Sequence, residues 1–383
     1  MCDILKHTTM KTGDKTMKKI HRTLSLFTVA AMCAALLCSC GAVSDSSQTD
    51  SSSKAATTTT ADTTADTTTA GEASSTASAT SAPDSSVSDS SSAVTDDTKT
   101  NGITPAMWKV TSPEGNTMVM LGSFHALKDE CYPLPEAITN AYNNADILAV
   151  ECDITSTSED GEYMKNLMKQ MLYNDNTKLS QHISEEAYSA LQTYLGYWGM
   201  DISALEVYRP WAVSSTLDTL LIQDSDFDTE KGLDNFLLTT AHADGKEIYE
   251  VESVDFQMNM LINFSDDIYD LMFRSYEGET KESQKQALED LYTAWKSGDI
   301  ETFLEEDNEE ELAGYTEEDK KIAEDYNNQM LYDRNKNMAK AAEDLMSQGK
   351  NVFYVVGAAH YAGEGGIIDL LEKDGYTAER VQY

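Results

Sequence analysis

The sequence predicts an α/β protein: a mostly parallel central sheet flanked by helices, built from two related strand–Gly-x-x-His–helix–strand halves with a helical insertion between them. Three observations carry that reading. Apolar runs of strand length alternate with helical patterns over residues 101–383, as in a parallel sheet with crossover helices. Two of those runs, "TMVMLGSFHAL" at 117–127 and "VFYVVGAAH" at 352–360, end in Gly-x-x-His. The stretches 118–151 and 352–383 then share one plan: apolar strand, Gly-x-x-His, loop, helix, strand.

Along the chain, the first element is a leader. From Met17 the sequence reads "MKKIHRTLSLFTVAAMCAALLCSCGA". Lys18, Lys19 and Arg22 precede an apolar stretch from Leu24 to Leu37, which is the grammar of an export signal over residues 1–39. Its end, "LCSC" followed by Gly41, resembles a bacterial lipobox, so Cys40 is the expected lipidated N-terminus. Such a lipid would anchor the chain to a membrane surface without threading it through. Residues 40–100 are a Ser/Thr-rich linker, almost without aromatic or branched apolar side chains, and cannot offset the entropy of ordering.

The domain, 101–383, opens with "MWKV" and "TMVMLGSF" around the turn-forming "TSPEGN", a β-hairpin pattern. A helix is expected over 135–144, then a buried strand at "ILAVECDI". Helical spacing returns at 185–198. Pro210 stands at a first helical position before "WAVSSTLDTLLI", and the helix "GLDNFLLTTAHA" ends before Asp244-Gly245. "KEIYEVES" reads as a strand and "VDFQMNMLINF" as a helix. Long acidic helices follow over 279–296 and 317–346. "NVFYVVG", a helix over 366–373 and the strand "YTAERVQY" close the chain.

The 383 residues carry a formal net charge of −38, most of it in the domain. That makes nucleic acid and anionic lipid faces poor partners, and no nucleic acid is expected. Of six cysteines, only Cys131 and Cys152 lie in the domain, and sequence leaves open whether they pair. Gly-x-Ser-x-Gly, His-Glu-x-x-His, P-loop and dinucleotide motifs are all missing from the sequence.

Chemistry is expected at the strand ends, where open α/β sheets hold ligands. Both Gly-x-x-His motifs fall there, so His125 and His360 are the first candidates. Glu151 ends one apolar run and Glu252 another; a carboxylate so placed needs a metal, a cation or donors around it. Two imidazoles with one or two carboxylates match the ligand set of a hydrolytic divalent ion. Arg334, in "LYDRNKNMAKAAEDL", is either a surface ion pair or a group reaching the crevice to hold a carboxylate or oxyanion. His182 and His242 lack such a context. Arg209 and Trp211, at a helix entry, are read as packing residues.

Five stretches, "LGSFHALKDECYPLPEAITNAYNNADILAVECD", "RPWAVS", "GLDNFLLTTAHADGKEIYEVESVDFQ", "RNKNMA" and "FYVVGAAHYAGEGGIIDLLEKDGYTAERV", resemble the TraB/GumN (TraB/PrgY/GumN) family, which includes the Tiki group of membrane-tethered proteases. The resemblance implies a fold like that of erythromycin esterases and ChaN-like haem-binding lipoproteins. It implies a divalent metal (Mn, Co or Zn) on His125, His360, Glu151 and Glu252. Glu151 would be ligand or general base, and Arg334 an oxyanion or carboxylate holder. "VES" at 251–253 departs from the family's Leu-Glu-Thr-like pattern. The expectation is a surface-anchored metal-dependent hydrolase acting on a peptide or small molecule at the outer face of a bacterial membrane. The alternatives are a non-enzymatic haem- or peptide-binding lipoprotein and a metal-free esterase.

Overall fold

The hairpin, the two all-apolar runs, the strand in "KEIYEVES" and the terminal strand assemble into one six-stranded sheet. The structure, a computed structural model, describes residues 101–155, 161–304 and 315–383. The leader over 1–39, Cys40 and the linker over 40–100 lie outside the described residues.

The strands are β1 (Met107–Thr111), β2 (Thr117–Ser123), β3 (Ile147–Val150), β4 (Glu247–Glu250), β5 (Val352–Gly357) and β6 (Thr377–Arg380), in the order β4-β3-β5-β2-β1-β6. β2 pairs with β5, β5 with β3, and β3 with β4, all parallel. β1 pairs antiparallel with β2 and β6. The sheet is thus a four-stranded parallel heart with an antiparallel flank, as the alternating pattern predicts.

β3 and β5 read "ILAV" and "VFYVVG" because helices cover both faces; every residue of each is buried. The edges read differently. β4 ("EIYE") and β6 ("TAER") expose most of their residues and carry charge, which blunts further strand pairing.

One apolar core surrounds the sheet and a second lies among the helices of residues 161–276 and 315–330, the expected helical insertion. Ile154 and Leu331 pack against both. Cys131 and Cys152 are buried and free. Cys131 Sγ faces the Tyr292 hydroxyl at 3.2 Å and the Cys152 thiol donates to Gln257 Oε1 at 3.4 Å, so the open question of a disulfide resolves as two separate thiols.

The long acidic helix expected over 317–346 is interrupted. The helices before it are α1 (Glu136–Asn144), α2 (Gly161–Gln170), α3 (Glu185–Gly196), α4 (Pro210–Gln223), α5 (Leu233–Asp244), α6 (Val254–Asn263), α7 (Asp266–Arg274) and α8 (Lys281–Ser297); it runs as α9 (Glu317–Asn327), a π-helical turn over Asn328–Tyr332, and α10 (Asp333–Met346), and α11 (Ile367–Lys373) follows β5. A π turn inserts into the helical register, and such turns recur at functional sites. Here the adjacent Arg334 and Asn335 are both buried, 5% and 2% exposed, although their helix is polar in sequence.

Candidate functional site

The carboxyl ends of the four parallel strands deliver the candidate residues to one edge of the sheet. His125 follows β2 by two residues, Glu151 directly follows β3, Glu252 follows β4 by two, and His360 lies in the single 3-10 turn Ala358–Tyr361 after β5. Arg334 enters from the first turn of α10.

Gly357 is the point where they meet. A Cβ there would sit 3.0 Å from Glu151 Oε1, 3.6 Å from His125 Nε2 and 3.6 Å from His360 Cδ2. The glycine is required for close approach rather than for an unusual backbone angle, since its φ is −51°. Its own N–H donates to Glu151 Oε1 at 2.6 Å.

Glu151 is held on both oxygens. Oε2 accepts from Arg334 Nη2 and from Gln257 Nε2, each at 2.9 Å, while Oε1 lies 3.7 Å from His360 Nε2. Burial pushes this carboxyl up, but Arg334, both histidines and the Gly357 N–H outweigh it and hold it well below the usual carboxylate range. Arg334 also bonds Glu252 through Nε (3.0 Å) and Nη2 (2.8 Å), and its Nη1 donates to the Met330 carbonyl of the π turn at 3.0 Å. Burial opposes the guanidinium charge, yet the two glutamates raise its value above the ordinary one. Gln257, on α6, closes the group by donating to Glu252 Oε2 at 2.8 Å.

Each histidine is braced through Nδ1. His125 Nδ1 lies 2.7 Å from Asp234 Oδ2, and His360 Nδ1 lies 2.6 Å from Asn335 Oδ1. Their proton affinities separate. Burial pulls His125 down, but the Asp234 carboxylate and then Glu151 carry it up to about 9. Burial and the nearby Arg334 take His360 down to about 3.

The structure therefore gathers His125, Glu151, Glu252, Arg334 and His360 into one cluster. His182 and His242 sit elsewhere, on Asp266 at 2.7 Å and on Asp153 at 2.8 Å. Trp211 is buried and donates to the Gln170 carbonyl, a packing role. Sequence reasoning did not pick out Asp234, Gln257 or a role for Asn335. The traceable signals are Asp234 in a helix-opening Gly-Leu-Asp and Asn335 beside the buried arginine.

As they stand, these residues do not fit a resident divalent ion. Among the described residues no group of three or more His, Cys, Asp or Glu could hold a metal. The physical reason is Arg334: it and Gln257 engage both Glu252 oxygens and Glu151 Oε2, and its charge repels a second cation.

The sequence profile of the TraB/PrgY/gumN family matches residues 106–380. The chain is 26% identical over 157 residues to the uncharacterized protein YbaP of Escherichia coli, covering 41% of this chain and 56% of YbaP. It is 25% identical over 293 residues to a metalloprotease TIKI homolog of Nematostella vectensis, covering 65% of this chain and 61% of that one. It is 25% identical over 164 residues to the metalloprotease TIKI2 of Danio rerio, covering 38% and 32%. The match thus spans less than two thirds of each of these relatives. No solved structure matches the chain. Since the family profile spans all six strands and every residue of the cluster at Gly357, this chain belongs to the TraB/PrgY/gumN family.

Proposed function

We propose that the chain is a hydrolase whose reaction centre is the space at Gly357, and that its substrate is a peptide or a small molecule with a scissile carbonyl. The observation that carries this reading is the convergence of His125 Nε2, Glu151 Oε1 and the His360 ring on that one glycine. The names of the distant TIKI relatives favour peptide cleavage.

The chain's own groups supply the chemistry. A water hydrogen-bonded beside the His360–Glu151 pair would give its proton to His360 Nε2 as its oxygen attacks the carbonyl carbon. Glu151, fixed as an anion by Arg334, stabilises the imidazolium that forms. His125, held protonated by Asp234, would pass its Nε2 proton to the leaving group. Arg334 anchors the carboxylates; with its nitrogens engaged inside the protein, it does not reach an oxyanion.

A metal-dependent version, in which Glu151 and Glu252 would first have to be released from Arg334 and Gln257, is the second reading. Its specific support is that both Nδ1 atoms are engaged from behind, an outer-sphere pattern common around metal-binding imidazoles. We further propose the extracellular face of the cell membrane as the place of action, with the chain tethered through Cys40 and the linker over 40–100; the leader grammar is its support. Among the described residues no helix is long and apolar enough to cross a membrane.

The test is a peptide- and ester-cleavage screen of the purified chain, beside His360→Ala and Glu151→Gln, with and without chelator. Cleavage lost in both variants supports the centre. Survival in chelator selects the metal-free version, and loss with restoration by one divalent ion selects the metal version. Full cleavage in both variants removes the proposed centre.

A further inference from the structure

Hydrolysis places negative charge on the substrate's carbonyl oxygen, and most donors gathered at Gly357 are already engaged. Arg334 is held by Glu151, Glu252 and the Met330 carbonyl, and the Gly357 N–H by Glu151 Oε1. The Gln257 amide is shared between the two glutamates. One hydroxyl beside them is uncommitted. Ser123, the last residue of β2, is 1% exposed, and its Oγ has no hydrogen-bond partner.

Register puts that hydroxyl next to the proposed centre. β2 and β5 run parallel, and Ser123 is the Cα partner of Gly357. Partners in a parallel ladder project to the same face of the sheet, one strand spacing of about 5 Å apart. Ser123 therefore stands beside the position that a Gly357 side chain would fill, 3.6 Å from His125 Nε2 and 3.0 Å from Glu151 Oε1. Its neighbour Gly122 is turned the other way: a Cβ there would meet Ala358. The Gly122 carbonyl accepts from Trp295 Nε1 at 3.0 Å, which fixes the end of the strand. The other buried side-chain atoms without partners among the described residues, on Tyr173, Trp198, Ser215 and Asp218, belong to the helical insertion.

We infer that Ser123 is a further catalytic residue, whose O–H donates to the oxygen of the scissile carbonyl as that oxygen gains charge. This role deepens the hydrolase reading and rests on it. A buried hydroxyl without a partner leaves its desolvation uncompensated and contributes nothing to folding. A donor kept free, and held in place by a strand, is what a developing oxyanion requires. Ser123 takes no part in the proton transfers; it fixes how the carbonyl lies. β5 stands between β2 and β3, so the carbonyl lies across Gly357, with its oxygen towards Ser123 and its carbon towards the water beside His360 and Glu151.

The experiment compares the full-length chain with Ser123→Ala and Ser123→Thr on a matched pair: a substrate from the cleavage screen, and its thiono counterpart with sulfur in place of the scissile carbonyl oxygen. Ser123→Ala should lower kcat on the oxygen substrate roughly a hundredfold, with KM little changed. Ser123→Thr keeps the hydroxyl and should retain most of the rate. Sulfur is a weak acceptor, so the parent should favour the oxygen substrate, and Ser123→Ala should erase most of that preference. Loss of an uncommitted hydroxyl should leave the thermal midpoint unchanged or raise it. An unimpaired rate in Ser123→Ala, a preference that survives it, or a lowered midpoint overturns the assignment. So does a covalent acyl adduct on Ser123 during turnover, which would make it the nucleophile. The two readings fail separately: a parent that cleaves nothing removes the hydrolase and this role with it, whereas a parent that cleaves, with Ser123→Ala its equal, removes this role alone.

Discussion

Arg334 forks onto Glu252, with Nε and Nη2 donating to the one carboxylate at 3.0 and 2.8 Å, while the same Nη2 reaches Glu151 at 2.9 Å. One buried cation thereby joins two buried anions delivered by different strands. Removing it leaves two carboxylates facing each other away from water. Arg334→Met is expected to cost about 3–5 kcal/mol of unfolding free energy. Arg334→Lys, which keeps the charge and loses the fork, should cost less. Urea titration of both variants checks this; a methionine variant within about 1 kcal/mol of the parent would mean the cluster is not the tie described.

A Cβ at Gly357 would press on Glu151 Oε1 at 3.0 Å, tighter than an ordinary contact, while the two histidines stand at van der Waals distance. Gly357→Ala should displace that carboxylate and cost about 1–3 kcal/mol through overpacking. Hydrolysis should fall far more than stability does. Turnover measured beside thermal midpoint separates the two effects, and an alanine variant with parental turnover refutes this placement of the centre.

Asp218 is buried, 4% exposed, and its Oδ2 has no hydrogen-bond partner. Burial raises its carboxyl value well above the ordinary one. The folded chain therefore holds a proton that the unfolded chain releases as pH rises past the usual carboxyl range. Stability must fall with rising pH in that window, by up to about 1.4 kcal/mol per pH unit from this group. Asp218→Asn removes the contribution, so the variant's advantage over the parent should grow between pH 4 and pH 7. An advantage that stays constant across that range would rule the effect out.

Cys131 and Cys152 are free and buried, and burial pushes the Cys152 thiol up, away from the reactive thiolate. Both should resist alkylation in the folded chain and react fully in denaturant, with or without prior reduction. Peptide mapping after alkylation reads this directly; recovery of a 131–152 disulfide peptide would contradict it.

The fold was legible where burial on both faces leaves continuous apolar runs, as in β3 and β5, and where turn chemistry is local, as between β1 and β2. The cluster was legible because strand ends converge by topology, so marking which side chain follows each strand marks His125, Glu151, Glu252 and His360. What escaped was set by contacts between distant segments. Asp234 meets His125 across 109 positions and Gln257 meets Glu151 across 106, and neither carries a local pattern of its own. The π turn escaped as well, because it shifts helical register without changing the polar composition that a periodicity reads.

β5 lies between β2 and β3, yet it is made almost last, more than two hundred positions after β2. Until residues 352–357 emerge, β2 and β3 have no strand to join them, and Glu151 lacks the Gly357 N–H. Completing the sheet is thus a late, long-range event in which one strand supplies both the missing scaffold and the glycine of the proposed centre. A chain cut short before that point would lack both the strand that joins β2 to β3 and the glycine on which the proposed centre converges.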